Sequence, residues 1–393
     1  MKKFCFDVSV DRSGIGNMKG MMADTLPNKE QILILAGAEM DFPTAPVICQ
    51  AISEFAQKGI YGFTLADETY RTSIVNWMKK VRDLSVQAED IVPTLGTIMA
   101  LNTAIRAFTE VDDGVIIQHP SYYRHDSAVQ NNGRNVVINH LKEKEGVYQI
   151  DFQSLEKQFA DEKNKMMILC NPQNPTGKVF SKEELMQIAD LAEKYDVIIF
   201  SDEIFAEITY GDHTAVPYAS IDETHSLMCT SLGKVYNFTG VNHANVIIKN
   251  EELRARYLKQ RKIDHFGSID PFFYTALTAG YSEEGYQWIQ QMKAQVWKNY
   301  LQIKNTLCKY MPEIVTSPLE GGFTLWIDFR RLKLNATELK KFLEQDAMIL
   351  GDLGEEYGLE GNGFCRFNIA ITEKMVETFL IRLHLAYQKR FVK

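Results

Sequence analysis

The chain reads as an α/β protein, with a mainly parallel, doubly wound sheet in a large unit and a small α+β domain beside it. Three observations predict this. From Val92 to about residue 249, short apolar runs alternate with amphipathic helical stretches, the pattern of strands covered by helices on both faces. Three successive apolar runs, at 166–170, 197–200 and 227–229, are followed by amides (Asn171, Asn174), an acid (Asp202) and a lysine (Lys234). In a parallel sheet those C-terminal ends share one edge, and that edge is where ligands bind. Beyond a long helix, strands at 323–329 and 365–369 are flanked by helices near 336–345 and 373–387. A chain of 393 residues is long for one core. The expected division is a large domain over 46–285, with 1–45 and 286–393 supplying an N-terminal arm and the small domain.

Composition narrows the class. Hydrophobic residues make up 45% and charged residues 24%, ordinary for a soluble globular protein, and the net charge is −8. That sign argues against nucleic acid or an anionic membrane as partner. Six cysteines, none in a C-x-x-C pair, several within apolar runs, read as buried reduced thiols and not as disulfides or a metal site. No leader-like N-terminus and no run of membrane-spanning length is present, so a cytoplasmic protein is expected.

In order, residues 1–30 are polar and methionine-rich, with Ser13-Gly14-Ile15-Gly16. They read as an irregular arm lying on another part of a dimer, or as a frayed terminus. A strand at 32–35 leads into Ala36-Gly37-Ala38-Glu39-Met40-Asp41-Phe42-Pro43, whose small residues let the backbone approach a ligand. Helices follow at 46–58 and 68–81, separated by the aromatic loop Gly59-Ile60-Tyr61-Gly62-Phe63-Thr64. Gly96-Thr97 opens a helix running to about Phe108 and offers backbone N–H groups and a hydroxyl to an anion, although Thr is also an ordinary cap. A buried strand at 114–118 ends in His119-Pro120-Ser121-Tyr122-Tyr123, and another strand covers 135–139. His119 and His125 read as structural. A short helix spans 151–160. The 166–170 strand meets Asn171-Pro172-Gln173-Asn174-Pro175-Thr176-Gly177, where each proline restricts the asparagine before it. Ser181 and Glu184 form a capping box for a helix to about Tyr195. Helices at 251–263 and 282–310 follow, the latter with Trp288, Ile289, Met292 and Val296 as a core stripe.

The motif N-P-x-N-P-T-G at 171–177, then Ser201-Asp202-Glu203, then Ser231-x-x-Lys234, resembles the fold-type I pyridoxal-phosphate enzymes of the aminotransferase class. The resemblance runs from about Phe6 to Leu385. Glu39 to Pro43, Cys170 to Val179 and Ser201 to Ile204 look most like the MalY/PatB-type C–S β-lyase (cystathionine β-lyase) branch. The resemblance implies pyridoxal 5'-phosphate as cofactor and a homodimer with shared sites. It makes Lys234 the Schiff-base lysine, which must be neutral to attack an aldehyde and can afterwards take the substrate α-proton. It pairs Asp202 with the protonated pyridine nitrogen, gives the ring hydroxyl to Asn174, and sets Tyr122 against the ring face. It assigns the phosphate to Gly96, Thr97 and Ser231, and the substrate carboxylate to Arg366, with Asn174 and the Ala38 loop nearby.

Three departures stand out. Phe205 occupies a position where many relatives carry Tyr, Asn242 one where many transaminases carry Arg, and Phe63 one where a tyrosine reaches across the dimer. Tyr61 is the alternative for that reach, and plain aromatic packing is a third reading. The expected activity is β-elimination from cystathionine, cysteine or an S-substituted cysteine, giving thiol, pyruvate and ammonia. An L-amino-acid aminotransferase is the alternative, since it shares every residue up to loss of the α-proton. A non-catalytic cofactor-binding interaction protein is a third reading, weakened by the presence of Lys234. Substrate choice is expected to lie with Glu39, Tyr61, Phe63 and residues 264–270.

Overall fold

The computed structural model describes residues 2–8, 10–12, 14–24, 26 and 31–392; Ser13 of the N-terminal arm lies outside the described residues. Helix α1 (Met18–Ala23) and strand β1 (Leu33–Ile34) precede α2 (Pro46–Gln57) and α3 (Glu68–Val81). Then come β2 (Ile91–Thr94), α4 (Thr97–Phe108), β3 (Gly114–His119), α5 (Tyr123–Asn131), β4 (Asn135–His140) and the hairpin β5 (Lys142–Lys144) and β6 (Val147–Gln149). The alternation continues through α6 (Phe152–Phe159), β7 (Asn164–Cys170), α7 (Lys182–Tyr195), β8 (Ile198–Asp202), β9 (Ser226–Thr230), α8 (Leu232–Val235) and β10 (Ala244–Ile247).

Among the described residues these strands form a seven-stranded sheet in the order β2-β10-β9-β8-β7-β3-β4. Only β10 runs antiparallel to its neighbours. The apolar runs are continuous because both faces are buried. Met166 and Ile168 of β7 pack with α4 and α9 (Glu251–Ile263), whereas Met167 and Leu169 pack with α6 and α7. The reversal at β10 has a consequence for the site. Asn245 pairs with Thr230 and Ala244 with Thr94, so the connection from 231 to 243 stays at the C-terminal edge of β9. The same edge receives the ends of β2, β7 and β8.

Local signals account for the helix ends. Ser181 and Glu184 form the expected capping box, and Asp67, Asn250 and Ser282 each accept a backbone N–H at an N-terminus. Helix α10 (Pro271–Gly280) was not anticipated, although Asp270 as cap and Pro271 in the first turn are its signals. Helix α5 and the β5–β6 hairpin were also not anticipated. The expected burial of the cysteines holds only for part of the set. Cys5, Cys49 and Cys308 are exposed, the last two on outward positions of α2 and α11 (Glu283–Tyr310).

Beyond α11, β11 (Val315–Thr316), β12 (Thr324–Asp328), α12 (Ala336–Lys341), β13 (Ile349–Leu350), β14 (Asp352–Leu353), β15 (Phe364–Asn368) and α13 (Glu373–Phe391) complete the chain. An antiparallel sheet runs β11-β12-β15-β14, and β1 pairs with β13. The small sheet meets the large one at the Asn-Pro loop: Glu320 and Gly321 both donate their N–H to the Gly177 carbonyl. A Cβ on Gly321 would lie 2.6 Å from Pro172 Cγ and 2.7 Å from its Cβ, both in a rigid ring. Gly321→Ala is therefore expected to destabilise the protein by about 1–3 kcal/mol. Denaturant unfolding checks this, and an unchanged midpoint would remove the loop contact as a structural constraint.

Candidate active site

The expected residues meet at that sheet edge. A cavity of about 570 Å³ is lined by Ala38, Gly96, Thr97, Tyr122, Asn174, Asp202, Ser231, Lys234 and Arg366. A second cavity, about 650 Å³, lies beside Arg71, Arg254 and Arg261. Its guanidinium groups are tied to backbone carbonyls of Ala66, Ala88, Ile91, Ile248 and Pro93. In the first, by contrast, acids, an amine and a free amide converge.

Lys234 sits on α8, the single turn after β9, capped by Ser231. Its Nζ donates to the Ala38 carbonyl at 2.7 Å. Burial, then the Arg366 charge, pull its pKa down to about 8, against the opposing pull of Glu39 and Asp202. A neutral amine at moderately alkaline pH follows, which is what nucleophilic attack requires.

Asp202 ends β8, is buried, and accepts the Ile204 N–H at 3.3 Å. His125 Nε2 lies 3.2 Å from its Oδ2, and His125 Nδ1 lies 3.3 Å from Ser121 Oγ. His125, read from sequence as structural, thus touches the acid at the cavity floor. Its signal was weak because it enters from α5, a helix the sequence did not reveal.

The two asparagines diverge. Asn174 faces the cavity, with its Oδ1 accepting from Arg366 Nη1 at 2.8 Å and its NH₂ left available. Asn171 turns back into its own loop and accepts the Phe180 N–H at 3.1 Å. Gln173 fastens the loop by donating to the Pro120 carbonyl at 2.6 Å and accepting the Thr176 hydroxyl at 2.6 Å. Arg366 is held on β15 by Asp352 Oδ2, 3.0 Å from Nε and 2.6 Å from Nη2. Burial opposes its charge, while Tyr357 and Asp352 raise its pKa further.

Gly96, at φ +83°, turns the chain so that Thr97 opens α4, a twelve-residue helix, toward the cavity. Ser231 gives its hydroxyl hydrogen to the His243 carbonyl at 2.8 Å, so toward a ligand it has only lone pairs to offer. Tyr122 caps α5 at the wall, and burial raises its pKa. Phe205 and Asn242 also line the cavity, and the Lys234 Nζ lies 6.0 Å from the Phe205 ring centroid. Tyr61 and Phe63 do not line it. The Tyr61 hydroxyl donates to the Ala56 carbonyl at 2.6 Å, and Phe63 is 99% exposed.

One wall comes from the N-terminal arm, which the sequence left as either an arm lying on another part of a dimer or a frayed terminus. Met18, Lys19 and Met22 line the cavity of their own chain. Lys19 bonds to Asp41 at 2.8 Å, and Arg12 pairs with Glu39 and with Asp41. The signal available was the pair of cations at 12 and 19 opposite the acids at 39 and 41.

A mainly parallel sheet whose edge gathers a lysine, a buried acid and an arginine, with a small antiparallel domain beside it, is the architecture of the fold-type I pyridoxal-phosphate enzymes. The chain belongs to the family Aminotransferase class I and II, whose profile matches residues 30–383. It is 29% identical to cystathionine beta-lyase PatB of Bacillus subtilis over 384 residues, 97% of this chain and 99% of that protein. It is 28% identical to protein MalY of Escherichia coli, covering 95% and 96%. In structure it is similar to cystalysin from Treponema denticola, with a TM-score of 0.95, 31% identity and 99% and 100% of the two chains covered.

The Lys234 environment predicts a pH dependence. Below about 8 the amine is protonated and unreactive. In cofactor-free protein, labelling of Lys234 by an amine-directed acylating reagent, followed by peptide mass spectrometry, should accelerate about tenfold per pH unit up to about pH 8 and then level off. A rate still rising near pH 10 would mean an ordinary, solvated lysine.

Proposed function

We propose that this protein is a pyridoxal-phosphate-dependent C–S β-lyase acting on cystathionine, cysteine or an S-substituted cysteine. The observation that carries the reading is Lys234: an amine with its pKa lowered to about 8, at the edge that also holds Asp202, Asn174 and Arg366. The donor set fits the cofactor. Asp202 is a buried carboxylate suited to a ring N–H, Asn174 has a free amide for a ring oxygen, and the start of α4 offers N–H groups for a phosphate. Bound there, the cofactor would supply an electron-withdrawing ring that stabilises negative charge at the substrate Cα.

The chain's own groups do the rest. Arg366 and Asn174 hold the α-carboxylate, which orients the Cα–H bond. Lys234 accepts the α-proton, and sulfur then leaves Cβ as a thiolate. Tyr122, on the cavity wall, would offer a ring face to a flat cofactor bound there. Full-length likeness to cystathionine beta-lyase PatB, cystalysin and a C–S lyase from Staphylococcus hominis supports elimination over transamination. The test uses purified holoenzyme with L-cystathionine or L-cysteine and no keto acid, following thiol and pyruvate. Sustained turnover is expected, and Lys234→Ala should abolish it together with the visible absorption of the lysine-linked cofactor. No turnover, with slow conversion to the pyridoxamine form, would make the protein an aminotransferase.

We also propose a homodimer. Ile60, Phe63 and Leu65 form an exposed apolar stretch, unusual for a free surface, beside the loop the resemblance assigns to cross-subunit contact. Size measurement should give a dimer, and Phe63→Asp should shift it toward monomer with weaker cofactor retention. A stable, fully active monomer would refute a shared site.

A further inference from the structure

The guanidinium of Arg366 is already engaged before any ligand arrives. Asp352 Oδ2 accepts from both Nε and Nη2, at 3.0 and 2.6 Å, and Asn174 Oδ1 accepts from Nη1 at 2.8 Å. A guanidinium carries five N–H donors, so two remain, one on each terminal nitrogen. Both lie on the terminal nitrogens, clear of the Nε-side edge that Asp352 takes, and terminal N–H groups are those that meet a carboxylate end-on.

Asp352 is built into place. It lies directly across from Arg366 in the antiparallel pairing of β14 with β15, so the backbone register sets their approach. Both side chains are buried, Asp352 at 7% and Arg366 at 4% exposure. The carboxylate also accepts the Gly37 N–H, at 2.9 Å to Oδ2 and 3.1 Å to Oδ1. Gly37 has φ +77° and precedes Ala38, whose carbonyl holds the Lys234 amine. One carboxylate therefore joins the arginine to the loop that holds the lysine. A buried acid beside an arginine also weakens the attraction for a second carboxylate, so its presence is not explained by affinity for anions alone.

We infer that Asp352 is a positioning residue. It fixes Arg366 by its Nε edge, leaves the terminal N–H pair to the substrate α-carboxylate, and couples that grip to the Gly37–Ala38 loop. The inference rests on the reading of this cavity as an amino-acid site.

The test compares binding of 2-aminoisobutyrate, which has no α-proton to lose, with binding of its amide, which lacks the carboxylate. Both are titrated against holoenzyme by the change in visible absorption. The ratio of the two affinities reports the carboxylate grip alone. In Asp352→Ala the ratio should fall about tenfold, the worth of a charge-assisted contact that is no longer aligned. In Asp352→Asn, which keeps an oxygen for Arg366 in the same shape, it should fall only about threefold. Amide binding should stay within about twofold in both variants, which a general loss of structure would not allow. An unchanged ratio in the Asn and Ala variants overturns the inference. A raised ratio overturns it too, and would make Asp352 a competitor for Arg366. If the unmodified holoenzyme responds spectrally to neither ligand, the underlying amino-acid reading fails, and the inference with it.

Discussion

The structure depends on keeping one amine out of water without leaving it unpaired. An ammonium in an apolar site is costly, so burial shifts the balance toward the neutral form. Lys234 meets this by sitting on the turn of helix after a buried strand, donating to the Ala38 carbonyl, and lying near the Arg366 charge. The sheet topology supplies that environment. Because β10 returns antiparallel, residues 231–243 are confined to the edge where β2, β7 and β8 also end. The cavity is a product of strand order first and of side chains second.

Charge in the cavity is arranged in pairs that leave particular donors free. Asp202 is touched by His125, Arg366 by Asp352 and Asn174, and the Glu39–Asp41 loop by Arg12 and Lys19. At Arg366 the pairing takes three of the five guanidinium N–H groups and leaves two without a partner among the described residues. Such buried pairs contribute little to stability once desolvation is counted, but they fix geometry. The N-terminal arm takes part in the same way, since its cations anchor the loop whose Ala38 carbonyl holds Lys234.

The departures concentrate on the cofactor side of the cavity. Phe205 stands beside Lys234 without a hydroxyl, and Asn242 offers an amide in place of a cation. Ser231 has spent its hydrogen on the His243 carbonyl. The start of α4 opens on the same cavity, and its N–H groups need no side-chain charge to offer an anion hydrogen bonds.

Much of this was legible in the sequence. Apolar runs of three to five residues, broken by Asn-Pro and Gly signals, gave the strands because a sheet buried on both faces imposes no alternation. The capping box of Ser181 and Glu184 gave the start of α7, because a cap is a local hydrogen bond. Lys234, Asp202, Asn174 and Arg366 were found because each follows or occupies a strand in a spaced motif. Contacts made across the fold were not legible. Nothing local says that Asn171 turns inward while Asn174 turns out, that His125 reaches Asp202, or that Asp352 faces Arg366 across a strand pair. The sequence by itself determined the elements and the chemical groups, because those depend on neighbours in the chain. Only the tertiary structure decided which edge of each group stays free, because that depends on partners distant in the chain, such as Gly37 and Asp352, 315 residues apart.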